Sequence, residues 1–314
     1  MIIGVTGGSG YIGKRLIEIL LQDNHTVRSI SRNKQSLVKK NLSWFQADIR
    51  KTEVQREFIK GLDVLINCVG VINNEKDFFP INTELLYELA NIAKENGIKR
   101  FIQISSLGVY DTSSKDKVIN ENSKLGSTNK YEKTKILSDK FLMGSNFPFE
   151  IVILRPSAVF SWDMPNLSLK QLVNAIRKKH FFYIGRPNAI LNYIHLDKLC
   201  AVINSLVRAP IPKKTMVCNL NDSILIERLV EIVCQEYKTL NKFFRVPLVL
   251  GYLIFFFLKI IEKISSFKSP LTISRLKLLS SKLVYKSDPF ITNLILSSYD
   301  DLEISLRKTI KKWK

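Results

Sequence analysis

Cysteine is scarce in this sequence. Its four cysteines, Cys68, Cys200, Cys218 and Cys234, are scattered, with no CxxC and no Cys/His cluster. That excludes a disulfide framework and a zinc site of the usual spacing, and it suits a reducing cytoplasm. Acidic residues are also few, 28 against 48 Lys and Arg, which leaves a formal charge of +20. Such a balance can answer to nucleic acid, an anionic membrane surface or phosphorylated ligands. The lysines are spread along the chain with no RNA-binding or helix-turn-helix signature, so solvated faces are expected and a nucleic-acid partner is not. The N-terminus lacks a basic flank and a small-residue cleavage site, so no secretory signal is expected.

A long hydrophobic run is lacking too. In the most apolar stretch, "RVPLVLGYLIFFFLKIIEKI", no charge interrupts Val246 to Leu258. As a helix those residues span about 20 Å, short of a hydrocarbon core of roughly 30 Å. The expectation is a buried or lid helix over 247–262, starting at Pro247. The alternative is peripheral membrane docking, with Phe255, Phe256 and Phe257 inserted beside anionic headgroups.

What is present is a globular chain, 46% hydrophobic with 10% aromatics over 314 residues, enough for one large α/β unit or two coupled domains. "MIIGVTG" is a short apolar run ending in glycine and reads as a buried strand. "GKRLIEILLQD" places Leu16, Ile17, Leu20 and Leu21 at helical spacing. "HTVRSISR", "LSWFQADI", "DVLINCVG", "RFIQISS" and "FEIVILRPS" read as further strands. "KTEVQREFIKGL", "INTELLYELANIAKENG" and "NKYEKTKILSDKFLMG" read as helices between them. Strands alternating with helices imply βαβ units and a parallel sheet. Beyond Pro156 the rhythm loosens: "VFSWDMPNLS" reads as a loop, "NYIHLDKLCAVINSLVRA" as a short strand running into a helix, and "TMVCNL" as strand-like.

The first crossover carries Gly7, Gly8, Gly10 and Gly13. A tight strand-to-helix turn lets backbone N–H groups and the helix N-terminus face an anion. Gly7 permits the turn, Gly10 lets a pyrophosphate approach the backbone, and Gly13 lets the helix pack on the strand. A second constellation follows. "FIQISSLGVY" ends a strand with two serines, and Tyr131 and Lys135 stand four apart, on one helix face. A tyrosine normally titrates near ~10. A lysine ammonium one turn away is expected to pull that value toward neutrality, making Tyr131 an acid-base group.

With these motifs the chain resembles the short-chain dehydrogenase/reductase superfamily, in its extended branch of nucleotide-sugar epimerases, dehydratases and ketoreductases. The TGxxGxxG motif corresponds to Thr6–Gly13, and the acidic residue after the third strand to Asp48. SSxxVY corresponds to "SSLGVY", which places the catalytic serine at Ser106 and not Ser105. Tyr131 and Lys135 match the catalytic pair, Arg155-Pro156 the RP after the sixth strand, and "YIHLDKL" the FVHVDD segment. "YDDLEISLRKTIKKW" is similar to the closing helix. The departures are "NCVGVIN" after the fourth strand, Lys198 for the second aspartate of HVDD, and "RPSAVFSW" without its glycine.

The resemblance implies a Rossmann-type doubly wound parallel sheet over 1–156, to which strands such as 214–220 can return. A smaller α/β substrate-binding part would occupy 157–314. It implies cofactor contacts from Gly7, Gly10, Tyr11, Ile12, Gly13, Asp48, Ile49, Val69, Gly70 and Lys135, with Ser106, Tyr131 and Lys135 catalytic. The end of the second strand, "SISRNK", offers Arg32 and no carboxylate, so NADP(H) is expected over NAD(H). The expected activity is reduction of a 4-keto nucleotide sugar of the 4-keto-6-deoxyhexose type in surface polysaccharide biosynthesis. The alternatives are a UDP-hexose 4-epimerase with tightly bound NAD and a non-catalytic NADPH-binding subunit of a membrane complex. Arg186 is a candidate contact for a substrate diphosphate, and His195 reads as structural. A homodimer with a nucleotide-sugar substrate and no metal is expected.

Overall fold

A computed structural model describes residues 1–113, 118–127, 129–264, 272–295 and 300–314. The apolar runs become β1 (Ile2–Thr6), β2 (Thr26–Ser31), β3 (Leu42–Gln46), β4 (Val64–Asn67) and β5 (Arg100–Ile104). Between them lie α1 (Tyr11–Gln22), α2 (Thr52–Ile59) and α3 (Leu85–Glu95), the last entered through a π turn at Pro80–Glu84. A short strand β6 (Val118–Ile119) precedes α4 (Lys130–Gly144) and β7 (Glu150–Pro156). Asn129 caps α4, its side-chain oxygen accepting from the Tyr131 N–H at 2.9 Å.

The second half contains β8 (Ala158–Phe160), α5 (Ser168–Arg177), β9 (Tyr183–Ile184), β10 (Ile190–His195) and α6 (Leu196–Arg208). β11 (Thr215–Leu220), β12 (Asp222–Leu225), α7 (Ile226–Tyr237), β13 (Arg245–Val246) and α8 (Leu248–Ile264) follow. The chain closes with α9 (Ile273–Leu279), β14 (Val284–Tyr285), α10 (Pro289–Ile295) and α11 (Leu302–Lys311). Tyr299, the first residue of the closing motif, lies outside the described residues. "VFSWDMPNLS" is not all loop: its first residues belong to β8, which pairs in parallel with β10, Ile194 opposite Val159.

Seven strands form one sheet in the order β11-β7-β5-β4-β1-β2-β3. Every neighbouring pair is parallel. Both faces are covered, which is why these strands read as continuous apolar runs and not as alternations. Ile102, Ile104, Val152 and Leu154 pack toward Leu16, Leu20, Leu199 and Leu206 of α1 and α6. Phe101, Ile151 and Ile153 pack toward Phe58, Leu86, Leu89 and Leu142 of α2, α3 and α4. Strand order reverses between β1 and β4, so a crevice opens beyond their carboxyl ends, the topological position where this architecture takes its ligand.

β12, β10 and β8 form a second, three-stranded sheet. Its core joins Leu169 and Val173 of α5, Leu229 and Val233 of α7, and Leu306 and Ile310 of α11. β11 does not stay with this lobe. It returns to the edge of the large sheet and pairs with β7 from Thr215 opposite Ile151 to Leu220 opposite Pro156.

Candidate active site

The glycine turn sits at the switch point. Gly7 has φ +66, and a Cβ there would come within 3.0 Å of the Cys68 carbonyl and the Val69 nitrogen, so a side chain is excluded by sterics as well as by backbone conformation. At Gly13 a Cβ would collide with the Gly7 carbonyl oxygen, the close helix-on-strand approach expected there. Gly10 is the N-cap of α1 and supplies no capping side chain, which leaves the first-turn N–H groups of the helix available to an anion.

A cavity of about 330 Å³ extends from this turn. Gly7, Gly10, Val69 and Gly70 line one side, and Arg32, Asp48 and Ile49 another. Seven of the expected cofactor residues therefore meet. Asp48 is clamped by Arg50, whose Nε lies 3.0 Å from both carboxylate oxygens. That pairing, with a smaller contribution from Arg32, holds the Asp48 carboxyl below its usual range. Tyr11 and Ile12 are placed differently. The Tyr11 hydroxyl turns away to Ser161 Oγ at 2.6 Å, and the Ile12 side chain packs on the apolar core. Their backbone, in the first turn of α1, is the part left for a bound dinucleotide.

At Gly70 the cavity wall comes close to α4. A Cβ on Gly70 would lie 3.6 Å from Lys135 Nζ. Lys135 is buried and donates to the Ile104 carbonyl at 3.1 Å. Tyr131 is half-buried, its ring edge-on to Phe78 at 5.9 Å. Ser106 is the N-cap of the short turn after β5, its Oγ accepting from the Gly108 N–H at 3.1 Å. That turn abuts the start of α4, where a Cβ on Gly108 would meet the Glu132 side chain. Ser105 is buried and directed to Asp139, whereas Ser106 is half-buried.

The expected pull on Tyr131 is not what the fold produces. Burial pushes its hydroxyl up to about 12, and the Glu132 and Asp139 carboxylates push the same way. Burial also brings the Lys135 ammonium down to about 8, against the opposing influence of Asp139 and Cys68. Desolvation outweighs the one-turn spacing, because taking either group out of water disfavours its charged form. Tyr131 is thus held as a neutral phenol, the form that can donate a proton.

Sequence reasoning missed the residues that support this site. Asn82 clasps Val71, accepting from its N–H at 2.9 Å and donating to its carbonyl at 3.0 Å, and also reaches Thr134 Oγ1 at 3.2 Å. It thereby fixes the Val69–Val71 wall to α4. Asp139, one turn beyond Lys135, pairs with buried Arg155 at 2.8 Å, and Arg155 donates to the Tyr110 hydroxyl at 2.7 Å. The i+4 spacing from Lys135 is the available signal for Asp139.

Arg186 lies apart from the cofactor cavity. It is exposed beyond β9, with its carbonyl accepting from Arg245 at 3.1 Å, and does not line the cavity. His195 caps α6, its Nδ1 accepting from the Asp197 N–H at 3.3 Å. Lys198 bonds Asp222 at 2.7 Å and ties α6 to β12. Among the described residues no His, Cys, Asp and Glu group could hold a metal ion.

A profile described as the NAD dependent epimerase/dehydratase family matches residues 3–217. The chain belongs to that family. Its glycine cradle, its uncapped helix start and the cavity that runs from them past Gly70 fit a nicotinamide dinucleotide.

Among curated relatives, the sterol-4-alpha-carboxylate 3-dehydrogenase (decarboxylating) of Dictyostelium discoideum is 27% identical over 61% of this chain and 62% of its own length. The 3-beta-hydroxysteroid dehydrogenase of Mycolicibacterium neoaurum is 25% identical over 61% and 57%. The chain thus spans about six-tenths of the length of the curated relatives it matches. Among solved structures of this fold, the UDP-glucuronic acid 4-epimerase of Bacillus cereus in complex with NAD covers 99% of this chain and 96% of its own. Its TM-score is 0.75 at 18% identity. The dTDP-glucose 4,6-dehydratase of Bacillus anthracis covers 100% and 96%, with a TM-score of 0.71 at 15% identity.

Proposed function

We infer that the protein is an NADP(H)-dependent reductase of a 4-keto nucleotide sugar of the 4-keto-6-deoxyhexose type, serving surface polysaccharide synthesis. The observation that carries this reading is the layout of the crevice. Gly70, on its wall, comes near Lys135 Nζ, and Arg32 lines it where β2 supplies no carboxylate. A guanidinium at that corner suits a ribose 2′-phosphate.

When bound, the dinucleotide supplies hydride to the substrate carbon. Tyr131, kept protonated by burial, donates to the ketone oxygen as charge develops there. Ser106 offers its hydroxyl to the same oxygen. Lys135 holds the ribose and stabilises the phenolate that Tyr131 becomes. Curated relatives carry dehydrogenase or ketoreductase names, which supports net redox chemistry over internal recycling of the cofactor.

The test is to incubate the protein with NADPH and a 4-keto-6-deoxy nucleotide sugar. Loss of NADPH is followed by absorbance and the product by mass spectrometry. Stoichiometric NADPH oxidation with a product heavier by two hydrogens is expected. Interconversion of UDP-hexoses without net NADPH consumption would make the protein an epimerase. Tight cofactor binding with no turnover would make it a non-catalytic subunit.

A further inference from the structure

α8 is apolar on two faces, and only one of them is covered. Phe255 is 6% exposed and packs with Ile184, Val246 and Leu276. Gly251 lies on the same side, where a Cβ would approach Ile184 Cγ2 at 3.0 Å. Opposite them stand Val249, Leu250, Leu253, Phe256, Phe257, Ile260 and Ile264, all exposed, with Phe256 at 59% and Phe257 at 64%. At 100° per residue these seven fall within an arc of roughly 120°, centred opposite Phe255 and Gly251. Leu240 and Phe244, in the segment leading to the helix, are exposed as well. A continuous apolar stripe of this kind marks an interaction surface. The triple phenylalanine therefore divides: Phe255 belongs to the interior, Phe256 and Phe257 to the outer face.

Charge identifies what covers it. From Lys238 to Ser287 the sequence holds ten Lys or Arg and a single acidic residue, Glu262. That segment's net +9 is nearly half of the whole chain's +20. Lys242 is exposed between Leu240 and Phe244, and Lys277 is exposed beside Leu278 on α9. Apolar side chains bordered by cations match the interface of an anionic bilayer, where each lysine near the surface adds attraction. No helix among the described residues is long and apolar enough to cross a membrane. With 17 residues, α8 is about 25 Å long.

We propose that α8 lies flat in the headgroup region of an anionic bilayer, with Phe256 and Phe257 as its apolar anchors. The test is co-sedimentation of the full chain with vesicles of equimolar phosphatidylglycerol and phosphatidylcholine, beside vesicles of phosphatidylcholine alone. Sedimentation velocity without lipid is run in parallel. The expected result is binding to the anionic vesicles that weakens with salt, and at least ~10-fold weaker partitioning of Phe256→Ser/Phe257→Ser. Lys242→Ser should lower partitioning about fivefold. Three outcomes overturn the proposal: no vesicle binding, equal binding to both vesicle types, or equal binding of the double variant. A lipid-free dimer that the double variant turns into a monomer, without vesicle binding, assigns the stripe to a second copy of the chain.

Discussion

The large sheet and α8 are both rich in apolar residues, and they use them in opposite ways. Along β5 and β7 alternate side chains enter two different helical layers, so each buried residue is enclosed on its own side of the sheet. In α8 one face meets the protein and the other meets solvent. Hydrophobicity in the sheet explains the fold, whereas on α8 it exceeds what the fold uses. The crevice belongs to the first regime: burial gives Tyr131 and Lys135 unusual proton affinities.

The sharpest way to break the comparison is at the crevice. Tyr131→Phe should lose ~10²–10⁴-fold in turnover while cofactor affinity, measured by fluorescence titration, is kept. Near wild-type turnover would remove Tyr131 from the chemistry. In the sheet, Phe101→Ala should destabilise the protein by about 3–5 kcal/mol in chemical denaturation, because Phe101 is fully buried beneath stacked Phe149. A loss below about 1 kcal/mol would contradict the close packing described.

Arg32→Ala should weaken NADPH binding roughly 10- to 150-fold and leave NADH binding nearly unchanged, as for one hydrogen bond to a charged group. Wild-type protein that binds NADH more tightly than NADPH would reverse the cofactor assignment. The next effect is pH-dependent. Lys135 titrates at about 8 and is an ammonium below that value. Reductive kcat/KM should therefore be full below pH ~8 and fall about tenfold per unit above it. A profile flat to pH ~10 would show that the ammonium is not needed. The smallest effect is expected on the open face of α8, where Phe256→Ala should change stability by less than about 0.5 kcal/mol.

Features set by local spacing are legible in the sequence itself. The four glycines of the first turn, the Tyr131/Lys135 pair and the strand-helix rhythm are contained in short windows, and each stands where its spacing places it. Asn82 is not legible in this way, because its partners are Val71 and Thr134 and nothing in "PINTELL" says which loop it will meet. The direction of the Tyr131 shift escapes a reading of spacing for a related reason: the spacing shows that a lysine is near but not how much water burial removes. Arg186 suits a diphosphate by residue type, and the fold leaves it outside the cofactor cavity. From Leu248 to Leu258 α8 is apolar on every side, so its sequence does not show which face the protein covers.

The return of β11 has a consequence for how the protein is made. β7 emerges from the ribosome with one edge bare, and its six partners, Thr215 to Leu220, come roughly 60 residues later. At ~5–20 residues per second the nascent sheet waits ~3–12 s with an unpaired strand, apolar from Ile151 to Leu154, at its border. An edge of that kind is a template for pairing with another chain. Newly synthesised protein is thus most exposed to misassembly between Pro156 and Leu220, well before α8 has been translated.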